Sequence, residues 1–556
     1  MSYLKFNIDN CKDCYACLRN CPVKAIKFEN NKAIILEENC ILCGHCVNVC
    51  PHDAKNVQSS IEEVNKILLS NPNKVVLSVA PSFISNFEVN TFASFKNACL
   101  KLGFAVVEET AIGAKYVSEE YIKLMNENKM NAIISTCCPS ANDYVRRNYP
   151  QAIKYLAPVV SPMIAHAKMI KKVYGEDYKV IFVGPCIAKK KEANLSDIID
   201  EVLTFEELDL MLKAKQIAFE EAIEEGENLV TRLYPINRGI IKTFTKSVKT
   251  DYDYISIDGG DEIDDILDNI NSFDHVFIEM NMCKGGCING PCKTSSRTTM
   301  KDNTIVRKFV KKSEIKPLDM GSNSDLNTTF TPLENHIKQP SEEELTKILQ
   351  SLSKFKKEDE INCGACGYKT CREKAIAIYN NLSDPEFCMP HLKNKAESLA
   401  NEIMEHTPNG IFTVNKDGLL IDINNRAYQY LDLPKDALNN FYQEYIVLPE
   451  LMEQIEKKEN LNSIIVYNDK KNMYFDVSIT YVQDQDVAFA IYKDVTKEIL
   501  NEENMKKLRN EMIEVTNKVI NKQMAAVQEI ASLLGESTAE AKIALVNFRN
   551  SLKDNK

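Results

Sequence analysis

The spacing of hydrophobic positions changes several times along the chain. From Val75 to about residue 315, short apolar runs (KVVLSVA, NAIIST, KVIFVG, HVFIEM) alternate with longer helix-like segments. Uniformly apolar strands are buried on both faces, so this stretch predicts a layered α/β domain with mainly parallel sheets. Residues 58–71 carry a short amphipathic pattern and predict a linking helix. Thr204 with Glu207 three residues later predicts a capping box opening the helix EELDLMLKA. Residues 316–340 are rich in Ser, Asn, Thr and Pro and predict a linker, with a new helix after Pro340. Between 398 and 497 the chain becomes strand-rich. IFTV and LLIDIN flank an Asp-Gly turn, and SIIVYND, MYFDVSITYV and VAFAIYKDV follow a helical stretch. This predicts a small α+β module. Beyond Lys497 the pattern is helical. Met505, Leu508, Met512, Val515 and Val519 form a short a/d seam, which predicts a homodimeric coiled coil, the alternative being one helix packed on its own domain. Gly535-Glu-Ser predicts a break before a last helix.

Composition narrows the class. The 556 residues are 44% hydrophobic and 26% charged, which excludes disorder throughout. With 68 basic against 79 acidic side chains, net −11, there is no nucleic-acid footprint and no attraction to an anionic membrane. The apolar runs are strand-sized, so no membrane span is expected. SYLKFNIDN lacks the basic and apolar regions of a signal peptide, so a cytoplasmic location is expected.

Cysteine changes the picture most. There are 19, none beyond Cys388. Without a secretory signature this reads as metal rather than disulfides. Residues 1–57 hold two similar blocks: Cys11, Cys14, Cys17 and Cys21 before Pro22, and Cys40, Cys43, Cys46 and Cys50 before Pro51. Three closely spaced thiolates can wrap three corners of an iron–sulfur cubane and a more distant one can close it, zinc being the alternative. The tandem C-x2-C-x2-C-x3-C-P runs resemble two-cluster bacterial ferredoxins. The resemblance implies crossed ligation, Cys11, Cys14, Cys17 and Cys50 on one 4Fe–4S cluster and Cys40, Cys43, Cys46 and Cys21 on the other, with a role in electron transfer.

Three further signals follow apolar runs, where open sheets place functional loops. They are Ser135-Thr-Cys137-Cys138-Pro139, Gly184-Pro-Cys186-Ile-Ala-Lys189, and Glu279-Met-Asn-Met-Cys283-Lys-Gly-Gly-Cys287. Four thiolates converging there can hold one more cubane; unrelated buried cysteines are the alternative. In this order behind a two-cluster ferredoxin block, the segments resemble the motifs of FeFe-hydrogenases. The resemblance covers roughly residues 1–310. It implies an H-cluster, a 4Fe–4S cubane linked to a diiron unit with CO, cyanide and an azadithiolate bridge. By the same resemblance Cys138, Cys186, Cys283 and Cys287 ligate the cubane, and Cys287 bridges to the diiron unit. Cys137 shuttles protons, Lys189 holds a cyanide, and Ala80, Pro81 and Ser82 line the pocket. Two family methionines are Gly184 and Asn281 here, and the family's glutamate path has only Glu119 and Glu120 as nearby candidates. The resemblance therefore implies H2 turnover at a low rate.

Cys363, Cys366, Cys371 and Cys388 resemble the small iron–sulfur domain of corrinoid iron–sulfur proteins, implying a third 4Fe–4S cluster with zinc as the alternative. Residues 400–497 resemble a PAS domain. The expected organisation is a ferredoxin domain at 1–57, an H-cluster domain at 72–315, a linker at 316–340, a small 4Fe–4S domain at 341–395, a PAS domain at 398–497 and a helical tail at 498–556. This order resembles the sensory class of FeFe-hydrogenases. It implies an H2 sensor that relays redox state through its clusters to the PAS domain, with ferredoxin as electron partner and a separate kinase or phosphatase as output. A metabolic ferredoxin-linked hydrogenase and a non-catalytic iron–sulfur scaffold are the competing expectations. Cys99 reads as core; Cys292 has no assigned role.

Overall fold

The computed structural model describes residues 3–29, 32–224, 229–244, 251–311, 325–534 and 538–552. The start of the expected linker and the break at Gly535 lie outside them. The chain forms two compact units, Met1–Leu392 and Lys393–Lys556.

In the first unit, β1 (Leu4–Phe6), the hairpin β2 (Ile26–Glu29) and β3 (Lys32–Ile35), and β4 (Lys55–Val57) frame the two cysteine blocks. β1 pairs antiparallel with β4. Next come β5 (Val75–Val79), β6 (Val106–Glu109), β7 (Ala132–Ile134), β8 (Lys179–Gly184), β9 (Glu201–Thr204), β10 (Asp253–Asp258) and β11 (Val276–Asn281). They form two sheets, β6-β5-β8-β9 and β10-β11-β7, each wholly parallel. β5 and β11 are buried along their whole length, as strands covered on both faces must be. Cys99 is fully buried in the core of the first sheet.

The predicted capping box is present. The Thr204 hydroxyl accepts from the Glu207 amide at 3.1 Å, and the Thr204 amide donates to the Glu207 carboxylate at 2.6 Å. Glu207 also receives Lys190, buried beside it, whose Nζ donates to the Gln58 carbonyl at 3.0 Å and to Ser60 Oγ at 2.7 Å. A buried cation is tolerated because it is paired and fully hydrogen-bonded. This junction fastens the segment after the ferredoxin block to the α/β layers. A second core runs without interruption through the ferredoxin block (Leu18, Ile26, Ile41), the second sheet (Ile134, Ile278) and the third cysteine block (Tyr368, Ala377).

The second unit contains β12 (Gly410–Asn415), β13 (Leu420–Ile423), β14 (Leu461–Asn468), β15 (Met473–Val482) and β16 (Val487–Asp494). They form one antiparallel sheet in the order β13-β12-β16-β15-β14. Burial alternates along β15, the period of a half-buried sheet. Rings of Phe412, Tyr442, Phe475 and Tyr492 fill its core. The helix Thr496–Leu534 carries the predicted seam. A helix over Met389–His406 spans the boundary expected at 395–398. Among the described residues no helix is long and apolar enough to cross a membrane.

Candidate active site

Every motif leaves the carboxyl end of a parallel strand. Cys137 and Cys138 follow β7, and Pro139 starts the next helix at a position where its missing amide proton costs nothing. Cys186 follows β8, Cys283 and Cys287 follow β11, and Ala80-Pro81-Ser82 follows β5. The two sheets therefore present their loops to one place. Gly286 makes the approach feasible. Its φ is +88°, and a Cβ there would stand 2.5 Å from the Pro235 carbonyl.

The loops enclose a cavity of about 650 Å³, mouth included, lined by Ala80, Pro81, Ser82, Cys137, Cys186, Lys189 and Cys287. Asn281 also lines it, at one of the two methionine departures. At the other, a Cβ on Gly184 would meet the Phe182 ring at 2.9 Å, so that ring fills the place of a side chain. Cys138, Cys186 and Cys287 lie close enough to raise the pKa of Cys283, and Cys138 also raises those of Cys186 and Cys287. Burial is the larger cause, taking Cys186 to about 11 and Cys283 well above the ordinary thiol range. Such thiols become thiolates only on metal.

Lys189 donates to the Cys137 carbonyl at 3.2 Å and to Glu192 at 2.6 Å. Burial pulls its pKa down, but Glu192 and the neighbouring thiols outweigh this, and the ammonium is held charged. Ser82 is fully buried at the cavity wall, and its hydroxyl has no hydrogen-bond partner among the described residues. A cation, an orphan donor and four clustered thiols fit an anionic cluster with polar ligands. Among the described residues no three His, Cys, Asp or Glu converge as a single metal ion requires. Cubane ligands bind separate iron atoms and need not converge so.

Cys137 stands apart from the four. Its sulfur lies 3.3 Å from the Tyr121 hydroxyl. Burial pushes the thiol up to about 12, so it stays protonated. Glu279, fully buried in β11, adds a negative charge nearby and accepts from the amides of Gly239 at 3.2 Å and Ile241 at 3.1 Å. Burial raises its pKa to about 7, against those amides. Motif spacing reveals neither Tyr121 nor this role of Glu279. Of the two glutamates nominated from sequence, Glu119 is buried and Glu120 pairs with Lys123.

The ferredoxin block gathers Cys21 with Cys40, Cys43 and Cys46, and sets Cys14 beside Cys17. Cys43 also faces Cys283 of the active site. Amide-to-sulfur bonds from Ala25 to Cys21 at 3.3 Å and from Ala54 to Cys50 at 3.4 Å repeat the same geometry in both halves. Cys11 is buried. In the third block Cys363, Cys366, Cys371 and Cys388 line one cavity of about 370 Å³. Lys24 ties this block to the ferredoxin block, donating to the Gly367 carbonyl at 2.7 Å. Cys292 is buried, and its amide donates to the Pro185 carbonyl at 3.1 Å.

The model of the iron-only hydrogenase large subunit, C-terminal domain, matches residues 73–291. A 4Fe-4S dicluster domain matches 10–54, and an Fe-S cluster family matches 359–390. Iron hydrogenase 1 of Clostridium pasteurianum is 25% identical over 352 residues, 50% of this chain and 61% of that protein. The NADP-reducing hydrogenase subunit HndD of Solidesulfovibrio fructosivorans is 28% identical over 236 residues, 35% of this chain and 39% of that one. The chain thus spans less than two thirds of these relatives. A ferredoxin of Methanothermococcus thermolithotrophicus is 36% identical over 53 residues, 9% of this chain and 88% of its own length. A solved HydA1 from Chlamydomonas reinhardtii is 16% identical, covering 50% of this chain and 99% of that one with a TM-score of 0.39. A PAS domain of an HTR-like protein from Haloarcula marismortui is 16% identical over 19% of this chain and 96% of that one, with a TM-score of 0.16.

Proposed function

We propose that this chain, whose residues 73–291 match the iron-only hydrogenase large subunit, C-terminal domain, binds H2 and slowly interconverts it with protons and electrons, serving as a sensor. The observation that carries the reading is one cavity lined by Cys137, Cys186, Cys287, Lys189 and the orphan Ser82 hydroxyl, with Cys138 and Cys283 clustered against its thiols. Cys138, Cys186, Cys283 and Cys287 hold the H-cluster. When bound, that group supplies an open iron position for H2 and a basic amine beside it. Lys189 and Ser82 donate to its cyanide ligands, and Cys137, kept as a thiol, passes protons at the cavity wall. The exchange of pocket methionines for Gly184 and Asn281 supports a low rate.

The eight cysteines of the ferredoxin block hold two 4Fe–4S clusters in crossed pairing, and Cys363, Cys366, Cys371 and Cys388 hold a third. These clusters carry electrons between the active site and a partner such as ferredoxin. The helix that begins at Met389, directly after Cys388, supports a relay of redox state toward a PAS-type module at 398–497. The apolar seam of the last long helix supports a homodimer, and a separate kinase or phosphatase in the cytoplasm would read the signal.

The test is the infrared spectrum of the anaerobically matured full chain with and without H2. Iron-bound CO and cyanide bands that shift under the gas are expected. A chain with full cubanes and no such bands is an electron-transfer scaffold, and the reading falls.

A further inference from the structure

β5 and β6 are paired in parallel with Ser78 opposite Glu108, so both side chains leave the same face of the sheet. Thr110 stands just beyond β6, ahead of the next helix, and its hydroxyl meets that of Ser78. The helix Pro162–Tyr174 lies across all three and contributes His166. The same helix packs closely on the helix Ala111–Glu127 because of Gly113, where a Cβ would stand 2.3 Å from the Pro162 carbonyl and 2.6 Å from the His166 amide.

The result is an unbroken string of hydrogen bonds. Thr110 Oγ1 lies 2.7 Å from Ser78 Oγ, and Ser78 Oγ lies 2.8 Å from His166 Nδ1. His166 Nε2 lies 3.1 Å from Glu108 Oε2. Its inner end, Thr110, lines the cavity shared with Cys137 and Lys189. Its outer end reaches water, the Glu108 side chain being 26% exposed while that of His166 is 1% exposed. Tyr174 steadies the second Glu108 oxygen at 2.7 Å, and Lys96 lies near the same carboxylate. The bonds of Cys137 run differently. They pass to Tyr121 and Thr136 and end on the Val159 carbonyl, inside the protein.

We propose that Glu108, His166, Ser78 and Thr110 form a proton wire between solvent and the active-site cavity, independent of Cys137. The inference rests on the hydrogenase reading given above. Inward, a proton held on Glu108 passes to His166 Nε2, and the Nδ1 proton passes to Ser78. The Ser78 proton then passes to Thr110, and the Thr110 proton is released to the cofactor in the cavity. Each group gains one proton and gives one, no electron moves along the string, and the ring and hydroxyls reset by turning. Outward transfer reverses every step. Each member can both donate and accept, as such a chain requires.

Time-resolved infrared spectroscopy on the matured full chain tests the wire. After a downward pH step, the CO bands that report protonation should move about tenfold more slowly in Glu108→Gln and in His166→Gln, a smaller loss than the roughly 10²–10⁴-fold that a positioned acid–base group usually provides. Their equilibrium positions should match the wild type, which a merely structural disturbance of the pocket would not preserve. Combining Glu108→Gln with Cys137→Ala should slow the shift beyond either change alone. If Glu108→Gln responds at the wild-type rate, the wire is overturned; this partly exposed position decides even where His166→Gln fails to load cofactor. A wild-type chain without CO bands would instead overturn the hydrogenase reading, and the wire with it.

Discussion

Cys137 and Cys138 are adjacent in the chain and opposite in chemical prospect. Cys138 faces three other thiols, whereas Cys137 faces a tyrosine hydroxyl and stays protonated with a pKa near 12. Replacing Cys137 by Ala should therefore leave the CO and cyanide bands in place while lowering turnover by about 10²–10⁴-fold, the usual worth of a positioned proton donor. Glu279 gives a pH signature. Burial raises its carboxyl to about 7, so it is neutral below that value and ionised above it. A protonated-carboxyl infrared band should fade as pH rises through about 7 and be missing in Glu279→Gln. The metal-binding pattern was legible because cysteine spacing is local information. Tyr121 and the surroundings of Glu279 were not. The first is brought to Cys137 by a helix, and the second is tuned by amides of Gly239 and Ile241 that lie 40 and 38 residues away.

At the scale of elements, the capping box at Thr204 was legible because it closes within one helical turn, and another at Ser341 opens the helix expected after Pro340. Strand neighbours could not. β7 pairs with β11 rather than β8, dividing the seven strands into two sheets, and such pairing depends on contacts far apart in sequence. The turn at Gly286 belongs to the same scale. Gly286→Ala puts a side chain at φ +88° and 2.5 Å from a carbonyl. It should cost at least about 1–3 kcal/mol, seen as a lower Tm and reduced iron loading. In the long terminal helix, Met505, Leu508, Met512, Val515 and Val519 are between 49% and 69% exposed. A full chain that sediments as a dimer is expected, and Met505→Lys with Met512→Lys should return it to monomer, since a charge at an a or d position opposes pairing.

For the molecule as a whole, the three cysteine blocks and both parallel sheets belong to one compact unit, and the blocks share a core with the second sheet, although sequence divides them into separate modules. The boundaries blur because apolar residues such as Leu18 and Tyr368 look like private core in sequence and are shared in space. Loss of one cluster should still be local. Cys366→Ser should remove about four irons per chain and one paramagnetic species while sparing the CO bands. The active-site thiols have a wider reach. Cys186 hangs from a loop of the first sheet and Cys138 and Cys287 from loops of the second, far apart along the backbone. A cluster bound to them is therefore a staple closing a very long loop, and the entropy of closing a loop rises with its length. Maturation would then do more than arm a catalyst, because it would tie two layers of the protein together and make iron loss an unlacing of the fold.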